Sequence, residues 1–112
     1  MKITYAAGVF EELVNLSAYL AEEDEQIAQS FLNACDATFQ FLAANQLVGA
    51  IREFKSSELS AVRMWRVKRF EKYLIFYTPT RLGVKILHVL HSAVDYNRVF
   101  EDDNSASLSI GF

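Results

Sequence analysis

The chain has one cysteine, one proline, four glycines and two histidines in 112 residues. Each scarcity removes a class of reading. Cys35 has no second cysteine to pair with, so an intrachain disulfide is excluded and a reducing compartment is suited. The glycines are isolated and make no phosphate-cradling loop. His88 and His91 stand three apart in a segment that reads as a strand, so they point to opposite faces and cannot share a metal ion. Apolar runs fall far short of the roughly 20 residues a membrane helix needs. The N-terminus, MKITYAAGVFEEL, has no continuous apolar stretch before Glu11, unlike a secretory signal. There is no repeat and no low-complexity tract. The expectation is a cytoplasmic protein with no metal and no cofactor. One domain is expected over residues 1–100, followed by an acidic, polar tail, 101–112, that frays.

What is present is charge, unevenly placed. The net charge is −3, but residues 1–51 carry −6, residues 52–100 carry +6 and the tail carries −3. The bases gather around RMWRVKRFEKYLIFYTP, where Arg63, Arg66, Lys68, Arg69 and Lys72 interleave with Trp65, Phe70, Tyr73, Phe76 and Tyr77. Arg81 and Lys85 follow. A solvated strand surface accounts for some of this, since edge lysines and arginines discourage aggregation. Clustering with aromatics favours a partner-binding face made of these seven bases. Two uses fit it: nucleic acid, with arginine on phosphate and aromatics under bases, or an acidic, extended peptide.

The periodicity orders the elements. Ile3-Thr4-Tyr5 reads as a strand ended by Gly8. VFEELVNLSAYLAEED reads as a helix with Phe10, Leu13, Val14, Ser17 and Leu20 on its apolar stripe. Asp24 caps a second helix, running to about Asn45, whose stripe is Ile27, Phe31, Cys35, Phe39 and Leu42. The short link makes the two an antiparallel hairpin. Residues 45–60 read as a surface connection with a helical turn. The period then becomes alternating. Trp65 and Val67 face one side, Arg66 and Lys68 the other, and Phe70-Glu71-Lys72 turns the chain. YLIFY and VKILHVLH are apolar on both faces, as central strands are, with a turn at Thr78–Gly83. Asp95 caps a last helical turn, YNRVF. The fold class is α+β: an N-terminal strand, then a helical hairpin packed on an antiparallel sheet that ends in a three-strand meander. Its uncovered face would carry Arg66 and Lys68.

Catalytic patterns are thin. Cys35 lies on an apolar stripe and reads as core. His88 reads as a mostly buried polar group with a partner. Ser92 beside His91 has no elbow motif.

The combination of Arg66-Val67, Tyr73-Leu-Ile-Phe-Tyr77 and Ile86-Leu-His-Val-Leu-His-Ser-Ala-Val-Asp95 resembles the ParE branch of the RelE/ParE toxin superfamily, over roughly residues 2–100. The resemblance implies a toxin of a type II toxin–antitoxin pair, a plasmid-stabilisation protein that binds DNA gyrase. The C-terminal segment of a cognate antitoxin would wrap and neutralise it, as a hetero-oligomer, and the free toxin could form a homodimer. Three positions depart from the pattern: His88 and Val94 stand where the family has arginine, and Ser92 where it has glycine. The RelE branch implies instead a ribosome-dependent messenger endoribonuclease, for which Arg66, His91 and Tyr96 are the catalytic candidates. The net negative charge counts against ribosome binding. A third reading is an inactive relative that only binds an antitoxin.

Overall fold

The computed structural model describes residues 1–52 and 62–100. Seven elements follow in order: β1 (Lys2–Tyr5), α1 (Val9–Ala21), α2 (Glu25–Ala44), β2 (Ala50–Ile51), β3 (Arg63–Val67), β4 (Phe70–Pro79) and β5 (Gly83–His91). Residues 96–100 are helical. Of the connection with a helical turn expected over 45–60, residues 53–60 lie outside the described residues, as does the frayed tail.

The strands form one sheet in the order β1-β5-β4-β3-β2. Every pairing is antiparallel except β1 with β5, which run parallel. That parallel pair is possible because the helical hairpin carries the chain back across the sheet. Close approach at its start requires Gly83, where any side chain would collide with the Lys2 backbone.

The helices begin and end as their residues dictate. Gly8 enters α1 at φ 92, a conformation that glycine adopts without penalty. Asp24 caps α2, its carboxylate accepting from the Gln26 N–H at 2.8 Å. The buried stripe of α2 is Phe31, Cys35, Phe39 and Leu42, as expected, but Ile27 is exposed. In α1 the stripe is rotated. Val9 is fully buried and Leu13, Leu16 and Leu20 pack on the core, whereas Phe10 and Val14 are exposed and Ser17 bonds back to the Val14 carbonyl. Both faces of α1 carry apolar side chains at helical spacing, so periodicity could not choose between them.

The first core lies between the helices and the sheet. Phe31, Phe39, Val67, Tyr73, Ile75, Tyr77, Val84, Ile86 and Val89 form its centre. Burial there pushes the Cys35 thiol up to about 12, so it stays protonated and inert at neutral pH. A second, smaller core lies on the opposite face of the sheet. Val62, Leu74, Phe76 and Phe100 fill it, with Met64, Leu87, Leu90 and Tyr96 around them. The face expected to carry Arg66 and Lys68 is therefore largely apolar, closed by the helical segment that begins at Tyr96. Asp95 does cap that segment, accepting from the Arg98 N–H at 3.3 Å.

Two irregularities set which residues face which core. On β5, Phe76 pairs with His88 and Tyr77 with Ile86, leaving Leu87 as an extra residue. This bulge reverses the alternation, so Val89 rather than His88 enters the helix-side core. At the other irregularity, the turn between β3 and β4 falls at Lys68-Arg69, not at Phe70–Lys72, which already belong to β4. The segment expected as connection also contains a strand, β2, whose Ala50 and Ile51 pair with Met64 and Arg63.

Candidate functional site

The β3–β4 turn collects four of the seven predicted bases at one end of the sheet. Val67 pairs with Phe70, and Arg66 pairs next with Leu74, so Glu71, Lys72 and Tyr73 bulge out of the ladder. The Arg66 guanidinium closes that bulge by donating to the Glu71 carbonyl at 2.7 Å. Arg69 sits at φ 71, an uncommon conformation for a residue with a side chain. The Lys68 N–H donates to the Thr38 hydroxyl at 3.3 Å, and that hydroxyl donates to the Ala34 carbonyl at 2.6 Å. A buried threonine of α2 thus ties the turn to the helix. The side chains of Lys68, Arg69 and Lys72 are exposed and, among the described residues, make no ion pair.

The other three bases do not join them. Arg63 donates to the carbonyls of Leu47 at 3.1 Å and Gly49 at 2.8 Å, so it anchors the β2 connection. The same connection is held by Tyr77, whose hydroxyl donates to the Gln46 carbonyl and accepts from the Gly49 N–H. Arg81 lies in the β4–β5 turn, at the far end of β4, and Lys85 is on β5 beside it. A ten-residue strand spans about 33 Å, so Arg81 is remote from the Lys68-Arg69 turn.

Between that turn and α2 runs a trough. Its wider part, about 460 Å³, is walled by Phe41 and Trp65, stacked with centroids 5.8 Å apart, and by Ala37, Thr38 and Val67. It continues past Ser30, Ala34 and Phe70 as a second hollow of about 360 Å³. Lys68 and Arg69 rim both parts. Glu71 is the one acid among the described residues that line the wider part. Sequence reading missed Phe41 because it falls off the buried stripe of α2. Its signal was there, as an exposed aromatic on an otherwise small-residue helix face, with Ala34 and Ala37 at helical spacing from it.

The three residues considered for ribonuclease chemistry are placed as follows. Arg66 and Tyr96 lie toward the second core, Arg66 through its pairing with Leu74 and Tyr96 against Phe76 at 5.0 Å. His91 packs edge-on to Tyr73 at 5.1 Å, and Tyr73 belongs to the helix-side core. The Ala93 N–H donates to His91 Nδ1 at 3.0 Å. Burial raises the Tyr73 hydroxyl above its ordinary value, with Tyr19 and Glu23 adding to the effect.

His88 has the partner that its sequence position implied. Its Nδ1 lies 2.6 Å from Glu12 Oε2, and Glu12 Oε1 accepts from the Val89 N–H at 3.0 Å. β1 pairs with β5 only as far as Ile86, so the carboxylate of α1 serves an edge that no strand covers among the described residues. A side chain at position 88 is thus directed at α1 and at Phe100, with ring centroids 4.9 Å apart, rather than at an open face. Val94 is exposed, and Ser92 donates its N–H to the Lys72 carbonyl. No group of three histidine, cysteine, aspartate or glutamate side chains able to hold a metal occurs among the described residues.

A strand, a helical hairpin and a meander closed by a C-terminal helix make this a RelE/ParE-like α+β protein. The family model described as the ParE toxin of the parDE type II toxin–antitoxin system matches residues 3–96. The chain belongs to that family, and it is a type II toxin–antitoxin toxin by membership. No curated protein matches it. Among the described residues no helix is long and apolar enough to cross a membrane.

Proposed function

We propose that this chain is a toxin that acts in the cytoplasm by binding a protein, DNA gyrase, and that an antitoxin silences it by covering the basic end of the β3–β4 hairpin. Family membership supports the toxin and the antitoxin partner. The gyrase target rests on the resemblance of the strands to the ParE branch. The observation that carries a binding rather than a catalytic mode is the placement of the bases. Lys68 and Arg69 rim one trough, and with Lys72 they are exposed without ion-pair partners among the described residues, while Arg66, His91 and Tyr96 are divided between the two sides of the sheet. Cleavage of a ribose–phosphate backbone needs a base, an acid and a phosphate clamp around one reacting atom.

Induction without antitoxin should arrest division and produce filaments, because trapped gyrase leaves broken DNA. Purified chain should inhibit supercoiling by gyrase from the native host. Primer-extension mapping that showed codon-specific cuts in messenger would transfer the protein to the ribonuclease reading. Absence of both growth arrest and gyrase inhibition would leave the inactive relative that only binds its antitoxin.

A further inference from the structure

The face of the sheet away from the helices changes character from one cross-strand row to the next. His88, Phe76, Met64 and Ala50 pair in succession across β5, β4, β3 and β2. Phe100 is seated on that row, its ring 5.3 Å from Phe76 and 4.9 Å from His88. The next row on the same face, two residues along β4 toward the β4–β5 turn, is polar. Thr4 pairs with Lys85 and Lys85 with Thr78, and the register that sets Arg63 against Tyr77 brings Val62 opposite Thr78. The Arg52 N–H donates to the Val62 carbonyl at 2.9 Å, so Arg52 ends the row. Lys85 is exposed, and neither base makes an ion pair among the described residues. Arg52 Nε is buried with no hydrogen-bond partner among them. None of the residues in this row is an acid.

We propose that the polar row seats the acidic run Glu101-Asp102-Asp103 of the chain's own tail, which straps the C-terminal helical segment over the second core. Charge selects the occupant, since three carboxylates follow Phe100 without a break and the row offers two bases and no acid. Reach agrees with it. Successive rows on one face lie about 7 Å apart, and three extended residues cover about 10 Å. Lys85 and Arg52 stand three strand spacings apart, about 14 Å, a gap that the long stems of lysine and arginine close from either side. Tethering at Phe100 holds the run near the row at an effective concentration of the order of millimolar, so contacts that are weak singly act together. A strap also answers a need of the fold. The helical segment 96–100 is little more than one turn, too short to hold itself, and it carries the Phe100 ring that closes the second core. The inference does not depend on which target the toxin binds.

The test is zero-length carbodiimide cross-linking of the purified full chain at low concentration, which joins a carboxylate to a lysine amine in contact with it, followed by proteolysis and mass spectrometry. The expected product is an intrachain link from Lys85 to Glu101, Asp102 or Asp103, with a yield that falls severalfold in about 0.5 M salt. Links from these acids to Lys68 or Lys72 in equal yield overturn the row as the seat. Links found only in a cross-linked dimer overturn the chain's own tail as occupant in favour of a second copy. Absence of any link from these acids to Lys85 overturns the strap. Thermal melting gives an independent reading. Glu101→Gln/Asp102→Asn/Asp103→Asn should lower the melting temperature by a few degrees. Lys85→Gln should lower it less in that background than in the wild type, because the partner is already gone. An equal shift in both backgrounds overturns the pairing of Lys85 with the tail.

Discussion

Glu12 carries two hydrogen bonds on one carboxylate, and one of them replaces a missing strand. The Val89 N–H would otherwise face outward from β5 beyond the end of β1, half covered by α1. An unpaired N–H in such a place costs about 1–3 kcal/mol. Glu12→Ala should therefore lower stability by about 1–3 kcal/mol in urea unfolding, with Glu12→Gln recovering part of it through the retained Oε1. An alanine variant as stable as the wild type would show that solvent serves the edge equally well. The same geometry changes the meaning of His88. An arginine there would meet Glu12 at once and form an ion pair inside the molecule. The charge absent at position 88 is thus no measure of lost contact with a target, whereas Val94, being exposed, is the more informative departure.

The β3–β4 turn is an element whose sequence works against its own geometry. A two-residue turn with a left-handed second position calls for glycine or asparagine, and Arg69 occupies it at φ 71. Holding a side-chain-bearing residue there costs about 1–3 kcal/mol, and such strain concentrates where a side chain is needed for binding. Arg69→Gly should leave thermal stability unchanged or raised while weakening antitoxin binding about tenfold, the equivalent of one charge-assisted contact. A loss of stability on this substitution would mean that Arg69 holds the turn. That would remove the argument from strain.

Across the whole molecule the acids and bases are segregated: −6 in the half that forms the helical hairpin, +6 in the half that forms the meander. A dipolar surface steers an oppositely charged partner before contact, and salt screens that steering. Association with the antitoxin should slow as ionic strength rises from about 0.05 to about 0.5 M, mainly through the on-rate. Lys68→Glu/Arg69→Glu should flatten this dependence more than Arg81→Glu/Lys85→Glu. Stopped-flow rates at several salt concentrations read it directly. Equal flattening by both pairs would place the attraction in the net field and not at the hairpin end.

The order of elements and the fold class were legible because they follow from local rules. Asp24 marks a helix start whatever lies around it, the period shifts from helical to alternating near Trp65, and YLIFY is apolar on both faces. The motif strands carried the family. The candidate site was only half legible. Charge and aromatics located the hairpin end, but seven bases became one patch of four, an anchor at Arg63 and two residues far away, because distance along a strand is not visible in composition. Which face of α1 is buried, with Val9 inside and Phe10 outside, depended on docking, since both faces offered apolar residues. The extra residue Leu87 reversed the alternation of β5, and no local rule announces a bulge. The Glu12 clamp joins positions 76 residues apart, and the Phe41–Trp65 wall joins a helix to a strand. Only packing brings such pairs together, because long-range contacts are chosen by the energy of the whole core and not by the preference of either residue.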